Sequence, residues 1–138
     1  MGLELHHIKV QSPNDLEGAF SKMTGTIRAT ALFLQPAVFF RDNRERIVDL
    51  ATKSRLPSIT GDKWWVEAGG LMSYGPDGVE LYRRTATYVD KILKGTKPAD
   101  LPVEQPKKFE FIVNLKAAKQ IGLTIPPNVL ARADRVIK

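Results

Sequence analysis

Trp64–Gly75 reads WWVEAGGLMSYG, and this stretch decides the fold. WWVEA has the composition of a short helix, and the glycine pair Gly69-Gly70 ends it. Leu71-Met72-Ser73 is a buried-type strand, and Tyr74–Gly78 (YGPDG) has turn residues. Helix, glycine stop, apolar strand and turn in that order belong to an open α/β sheet, where ligands bind just past the carboxyl ends of strands.

Working outward, Ser58-Ile59-Thr60 is a short strand before Gly61-Asp62, and Ala29–Leu34 (ATALFL) is a continuous apolar strand closed by Gln35-Pro36. Ala37–Phe40 is expected as loop. Asp42 and Glu45 form a capping-box pattern for a helix with Ile47, Leu50, Ala51 and Ser54 inside. Leu3–Val10 alternates as a strand does. Ser12-Pro13 then opens a helix with Leu16, Ala19, Phe20 and Met23 on one face, ended by Gly25.

Downstream, Val79, Tyr82, Ala86, Val89 and Leu93 step by three and four, the strongest helical pattern in the chain, and Gly95 is its stop. Lys97–Pro106 has three prolines in ten residues and is read as an extended crossover. Phe109–Val113 is a strand. Asn114 caps a short helix with Leu115, Ala118 and Ile121 inside, and Gly122 stops it. Pro126-Pro127 starts a terminal helix, Asn128 to Val136. The order βαβαβαβαβα implies parallel pairing and right-handed crossovers, hence a three-layer α/β/α sandwich with a mainly parallel, Rossmann-like sheet.

The 138 residues suffice for one domain, with ordinary proportions of 43% hydrophobic and 26% charged residues. The net charge is +6, but the basic residues fall in short pairs among acids, as on solvated helix faces, so nucleic acid is not the expected partner. Without cysteine there is no disulfide framework and no thiol nucleophile. No apolar window is long enough to span a membrane, and MGLELHHIKV does not read as an export signal. His6 and His7 point to opposite faces if on a strand and do not share a metal easily. No P-loop, GxGxxG or GxSxG motif occurs. Asp62 and Glu67 form a possible carboxylate pair, for which capping and solvation suffice. Neither an enzyme nor a bound cofactor or metal is therefore expected.

The aromatics carry more. Phe39, Phe40, Trp64, Trp65 and Tyr74 lie in segments at one edge of a parallel sheet, with Gln35 and Ser73 as polar neighbours. Rings there stack on a planar or apolar ligand. Adjacent helical residues stand about 100° apart, so one tryptophan is expected to be buried and the other to face the cleft or solvent.

Several blocks resemble the ABC-transporter substrate-binding proteins related to tryptophan/tyrosine importers: GGLMSYG (Gly69–Gly75), YVDKILKG (Tyr88–Gly95), KPADLPVEQP (Lys97–Pro106) and NLKAAKQIGLTIPP (Asn114–Pro127). RERIVDLATKSRLPSI (Arg44–Ile59) is similar to the family's helix–strand step. The resemblance implies a type I periplasmic-binding-protein fold, two Rossmann-like lobes closing on a solute and docking on a membrane permease. On that reading residues 1–138 are a single carboxyl-terminal lobe. The cleft-facing positions are Gln35, Pro36, Phe39, Gly61, Asp62, Trp64, Ser73 and Tyr74, with no particular solute implied. An intact member is periplasmic, whereas the chain as written, without an export signal, is expected in the cytoplasm. One lobe encloses a solute poorly, so weak binding and a homodimer through the exposed cleft face, or through swapped crossover and terminal segments, are expected. Two other readings remain: a cytoplasmic ligand-sensing or dimerisation domain with the same lobe, and a small flavodoxin-like or hydrolase-like enzyme.

Overall fold

A computed structural model describes residues 2–138. Seven α-helices surround a five-stranded sheet: α1 (Leu16–Lys22), α2 (Val38–Asp42), α3 (Arg44–Lys53), α4 (Trp64–Glu67), α5 (Gly78–Leu93), α6 (Leu115–Gln120) and α7 (Pro127–Leu130), with β1 (Leu32–Leu34), β2 (Ser58–Thr60), β3 (Met72–Pro76), β4 (Phe109–Asn114) and β5 (Arg135–Ile137). The strands lie in chain order, β1-β2-β3-β4-β5. Three of the four pairings are parallel, in keeping with the mainly parallel α/β sheet expected from the sequence.

The exception departs from the parallel pairing that the strand–helix alternation implies: β4 runs antiparallel to β3, with Gly75 opposite Glu110 and Tyr74 opposite Phe111. Residues 77–108 leave and return at one point, where the Asp77 amide donates to the Lys108 carbonyl at 3.0 Å. They form an arm on the sheet, and the reversal follows from that closed neck.

One sheet face carries Leu34, Thr60, Ser73 and Ile112, aligned across β1 to β4, and packs beneath α1, α3 and α4. Leu16, Phe20, Ile47, Trp65 and Val66 fill this core. Trp65 is fully buried and its Nε1 donates to Ser58 Oγ at 3.2 Å. A side chain at Gly70 would run into the Trp65 ring, so this close approach requires glycine. The other face is covered by α6 and α7 through Leu71, Val113, Ala117, Ala118 and Ile125. That layer is partial, leaving Phe33 67% exposed and Tyr74 56% exposed.

Several local expectations are corrected. Leu3–Val10 is not a strand; only Ile8 and Val10 pack on the core, and alternation without a paired neighbour makes no ladder. The first helix does not end at Gly25 but continues through a wider π turn, Met23–Ile27, to Arg28 in the left-handed region (φ 54°). Ala37–Phe40 is not loop, because Val38 begins α2. The Asp42–Glu45 capping box does not form: Asp42 ends α2, and Asn43 precedes α3 with no side-chain cap. Tyr74–Pro76 extends β3 instead of turning, since β4 supplies its ladder partners. The terminal helix is one turn, after which Arg135–Ile137 joins the sheet beside β4.

Other signals hold. Asn114 accepts from the Lys116 and Ala117 amides at 3.0 and 3.2 Å and starts α6. Gly95 and Gly122 sit at φ 98° and 73°, closing α5 and α6.

Candidate functional site

The parallel strands β1, β2 and β3 end on one side of the sheet. Thr60 leads into Gly61-Asp62-Lys63, and these three residues connect β2 to α4. Beyond Ser73, β3 runs on to Gly75 and Pro76 and delivers the chain to the arm. Between these segments lies an open cavity of about 190 Å³, lined by Gly61, Asp62, Lys63, Trp64, Glu67, Ser73, Gly75, Pro76, Gly78 and Glu110.

Its floor is tight. A methyl group at Gly75 would occupy the position of the Gly61 carbonyl, so the two loops meet there only because residue 75 has no side chain. Thr60 and Ser73 are register partners on the same sheet face, 1% and 2% exposed. The Thr60 hydroxyl has no hydrogen-bond partner among the described residues, while Ser73 reaches the cavity. Trp64 forms the apolar wall, standing edge-on to Trp65 at 6.0 Å between ring centroids. One tryptophan is thus buried and its neighbour lines the cavity, as the 100° helical offset requires.

Of the eight residues singled out in the sequence, Gly61, Asp62, Trp64 and Ser73 come together here. Pro36 adjoins them, its Cγ 3.0 Å from where a Gly61 side chain would begin. Gln35 is exposed at the end of β1 and does not line the cavity. Phe39 belongs to α2, where it packs on the core edge and meets Phe40 at 5.3 Å. Tyr74 projects from the opposite sheet face to Ser73, because successive strand residues alternate. It stacks on Phe109 at 5.6 Å and meets Phe111 edge-on at 6.3 Å.

Sequence reasoning did not single out Lys63, Pro76, Gly78 and Glu110, and set Glu67 aside as solvation. Glu110 arrives through the antiparallel β3–β4 pairing, which no local pattern announces. Together with Asp62 and Glu67 it gives the cavity three carboxylates against the single ammonium of Lys63, in a chain of net charge +6. Among the described residues no three His, Cys, Asp or Glu side chains, these carboxylates included, are placed to hold a metal ion together.

At the cavity's outer lip stands the neck of the arm. Asp77 Oδ1 accepts from the amides of Val79 and Glu80 at 3.0 and 3.4 Å and caps α5. Its other oxygen, Oδ2, meets Lys108 Nζ at 2.8 Å. The bond from Lys108 holds the Asp77 carboxyl below its ordinary value of 3.8, and the same contact raises Lys108.

The chain matches a known family over nearly its whole length: the ABC transporter substrate binding proteins match residues 1–137. The chain belongs to that family. Solved structures agree. The chain is 30% identical to an ABC domain from Streptococcus pneumonia in complex with L-Trp, with a TM-score of 0.80 over 93% of this chain and 44% of that one. It is 28% identical to a conserved domain protein from Vibrio cholerae, again with a TM-score of 0.80, over 89% of this chain and 41% of that one. A ligand-free, open substrate binding protein with adhesive properties from Clostridium difficile shares the fold at 24% identity and a TM-score of 0.66, over 94% of this chain and 42% of that one. The chain therefore spans less than half the length of these structures. A comparison with curated proteins found no match.

Proposed function

We propose that this chain provides one wall of the solute site of an ABC importer's substrate-binding protein, acting without catalysis at the periplasmic side of a membrane permease. The observation that carries the reading is the cavity at the strand ends, walled by Trp64 and edged by Asp62, Glu67 and Glu110. An aromatic wall stacks on a planar side chain, and the carboxylates attract an ammonium group. An amino acid with an aromatic side chain satisfies both, and the L-Trp complex among the similar structures supports that class. The contacting residues are Gly61, Asp62, Trp64 and Ser73, with Gln35 and Pro36 at the rim. Phe39 and Tyr74 support neighbouring surfaces instead of touching the solute.

The cavity is open, and an open half-cleft buries less than the roughly 70–90% of a ligand that a good pocket covers. Affinity for L-tryptophan is accordingly expected in the millimolar range, on the order of 4 kcal/mol. No helix among the described residues is long and apolar enough to cross a membrane, so contact with a permease would be through surfaces. Self-association is part of this reading, because exposed apolar groups such as Phe33 and Tyr74 leave surface for a second copy to cover.

Titrating L-tryptophan into the ¹⁵N-labelled chain tests the site. Unsaturated shifts confined to the amides of Gly61–Trp64, Ser73–Gly75, Gly78 and Glu110 are expected. An unchanged spectrum at several millimolar, or shifts centred on Tyr74 and Phe109, would remove this cavity from consideration.

A further inference from the structure

The acids of this chain are paired, with one local exception. With 21 basic residues against 15 acidic ones, an acid ordinarily has a counter-ion at hand. Glu17 pairs with Arg46, Asp49 with Lys53, Asp77 with Lys108 and Asp90 with Lys94, and others do the same. Asp15 and Asp134 instead accept hydrogen bonds from backbone amides. Among the described residues four acids have neither kind of partner: Asp62, Glu67, Asp100 and Glu110. Three of the four line the cavity at the strand ends.

The three come from different elements. Asp62 lies on the loop between β2 and α4, Glu67 lies on α4 three residues after Trp64, and Glu110 lies on β4 opposite Gly75. Lys63, the one base in the lining, makes an ion pair with none of them. Unpaired charges of one sign around a concavity focus their field into it. Beneath them lie two buried hydroxyls on the same sheet face. Ser73 lines the cavity, and its register partner Thr60 has no hydrogen-bond partner for Oγ1. Carboxylates and hydroxyl oxygens accept hydrogen bonds, and an ammonium group has three donors and no acceptor. A carboxylate finds much less. No arginine lines the cavity, and α4 is a single turn, too short to offer a helix-terminus anion site. The three acids are also not placed to hold a metal ion together. The ligand that matches is an organic cation with a ring to lay against Trp64.

We infer that this cavity selects its solute by positive charge and that its substrate class is an aromatic primary amine. The ammonium group lies among Asp62, Glu67 and Glu110 with Ser73 accepting from it, the ring lies on Trp64, and no group of this wall is reserved for a carboxylate. The inference rests on the reading of the cavity as a solute site and adds an order of preference to it: cation before zwitterion before anion.

Tryptamine, L-tryptophan and indole-3-propionate present the same ring as a cation, a zwitterion and an anion at neutral pH. Each is titrated into the ¹⁵N-labelled chain at low salt. Tryptamine is expected to bind about fivefold more tightly than L-tryptophan, and indole-3-propionate to leave the cavity amides unmoved. Raising the salt to about 0.3 M should weaken tryptamine several-fold and level the series. Glu110→Gln and Asp62→Asn should each weaken tryptamine about threefold. Asp100→Asn removes the same charge outside the cavity and should leave it unchanged. Equal affinities for the three ligands, with shifts at the cavity amides, would overturn charge selection and leave the solute site standing. So would a loss for Asp100→Asn as large as that for Glu110→Gln. No shift at the cavity amides with any of the three would remove the site itself, and the inference with it.

Discussion

The core under α3 and α4 and the arm built on α5 differ in almost every respect except periodicity. Helix α3 has only ten residues and α4 only four, yet between them they bury Ile47, Ala51, Trp65 and Val66. Helix α5 has the most regular apolar spacing in the chain and buries nothing. Periodicity says that a helix has a side to hide; it does not say that the partner is in the same molecule. The body fills a core with its own residues, whereas the arm leaves its apolar face open.

The largest effect is expected in the body. Trp65→Ala removes a fully buried ring and its bond to Ser58, and should cost about 3–5 kcal/mol in urea unfolding. Gly75→Ala sets a methyl group against the Gly61 carbonyl, and overpacking of that kind costs about 1–3 kcal/mol. It should also shift the amide resonances of Gly61–Trp64, because the cavity floor must move. Asn114→Ala removes the cap of α6 and should cost about 1 kcal/mol. On the arm, Val89→Ser should change the stability of the monomer by less than about 0.5 kcal/mol, although hydrophobic patterning alone would rank it with the core. A loss as large as that of Trp65→Ala would erase the distinction between the two regions.

The neck between them responds to pH. Asp77 has a lowered value in the folded chain, so its contribution is fully present above its ordinary value of 3.8 and is lost as pH falls through the lower folded value. Below about pH 3.8 the α5 helix signal should therefore fall in the native chain, and Asp77→Asn should flatten that part of the profile. Its partner Lys108 is 67% exposed, which keeps the effect small.

Much of this was legible locally. The Asn114 cap, the Gly95 and Gly122 stops and the strand Ser58–Thr60 each rest on a few adjacent residues whose chemistry allows little else. What escaped depends on distant partners. Leu3–Val10 has the alternation of a strand but no ladder, and alternation is only half of what a strand needs. Arg135–Ile137 lies where a helix was expected and becomes a strand because β4 offers a parallel edge. Glu110 enters the cavity only because residues 77–108 return antiparallel to where they left. Ser73 and Tyr74, which the family resemblance names together as cleft-facing, stand on opposite faces of β3, one in the cavity and the other stacked on Phe109.

The division between a body with a core of its own and an arm without one is tested most directly by native-state hydrogen exchange. At 20 μM the amides of Thr60, Ser73, Ile112 and Val113 should exchange only through global unfolding, while those of Ala86–Ile92 exchange through local opening. Body-like protection of α5 at 20 μM would show that the arm is already part of the core and would contradict the account.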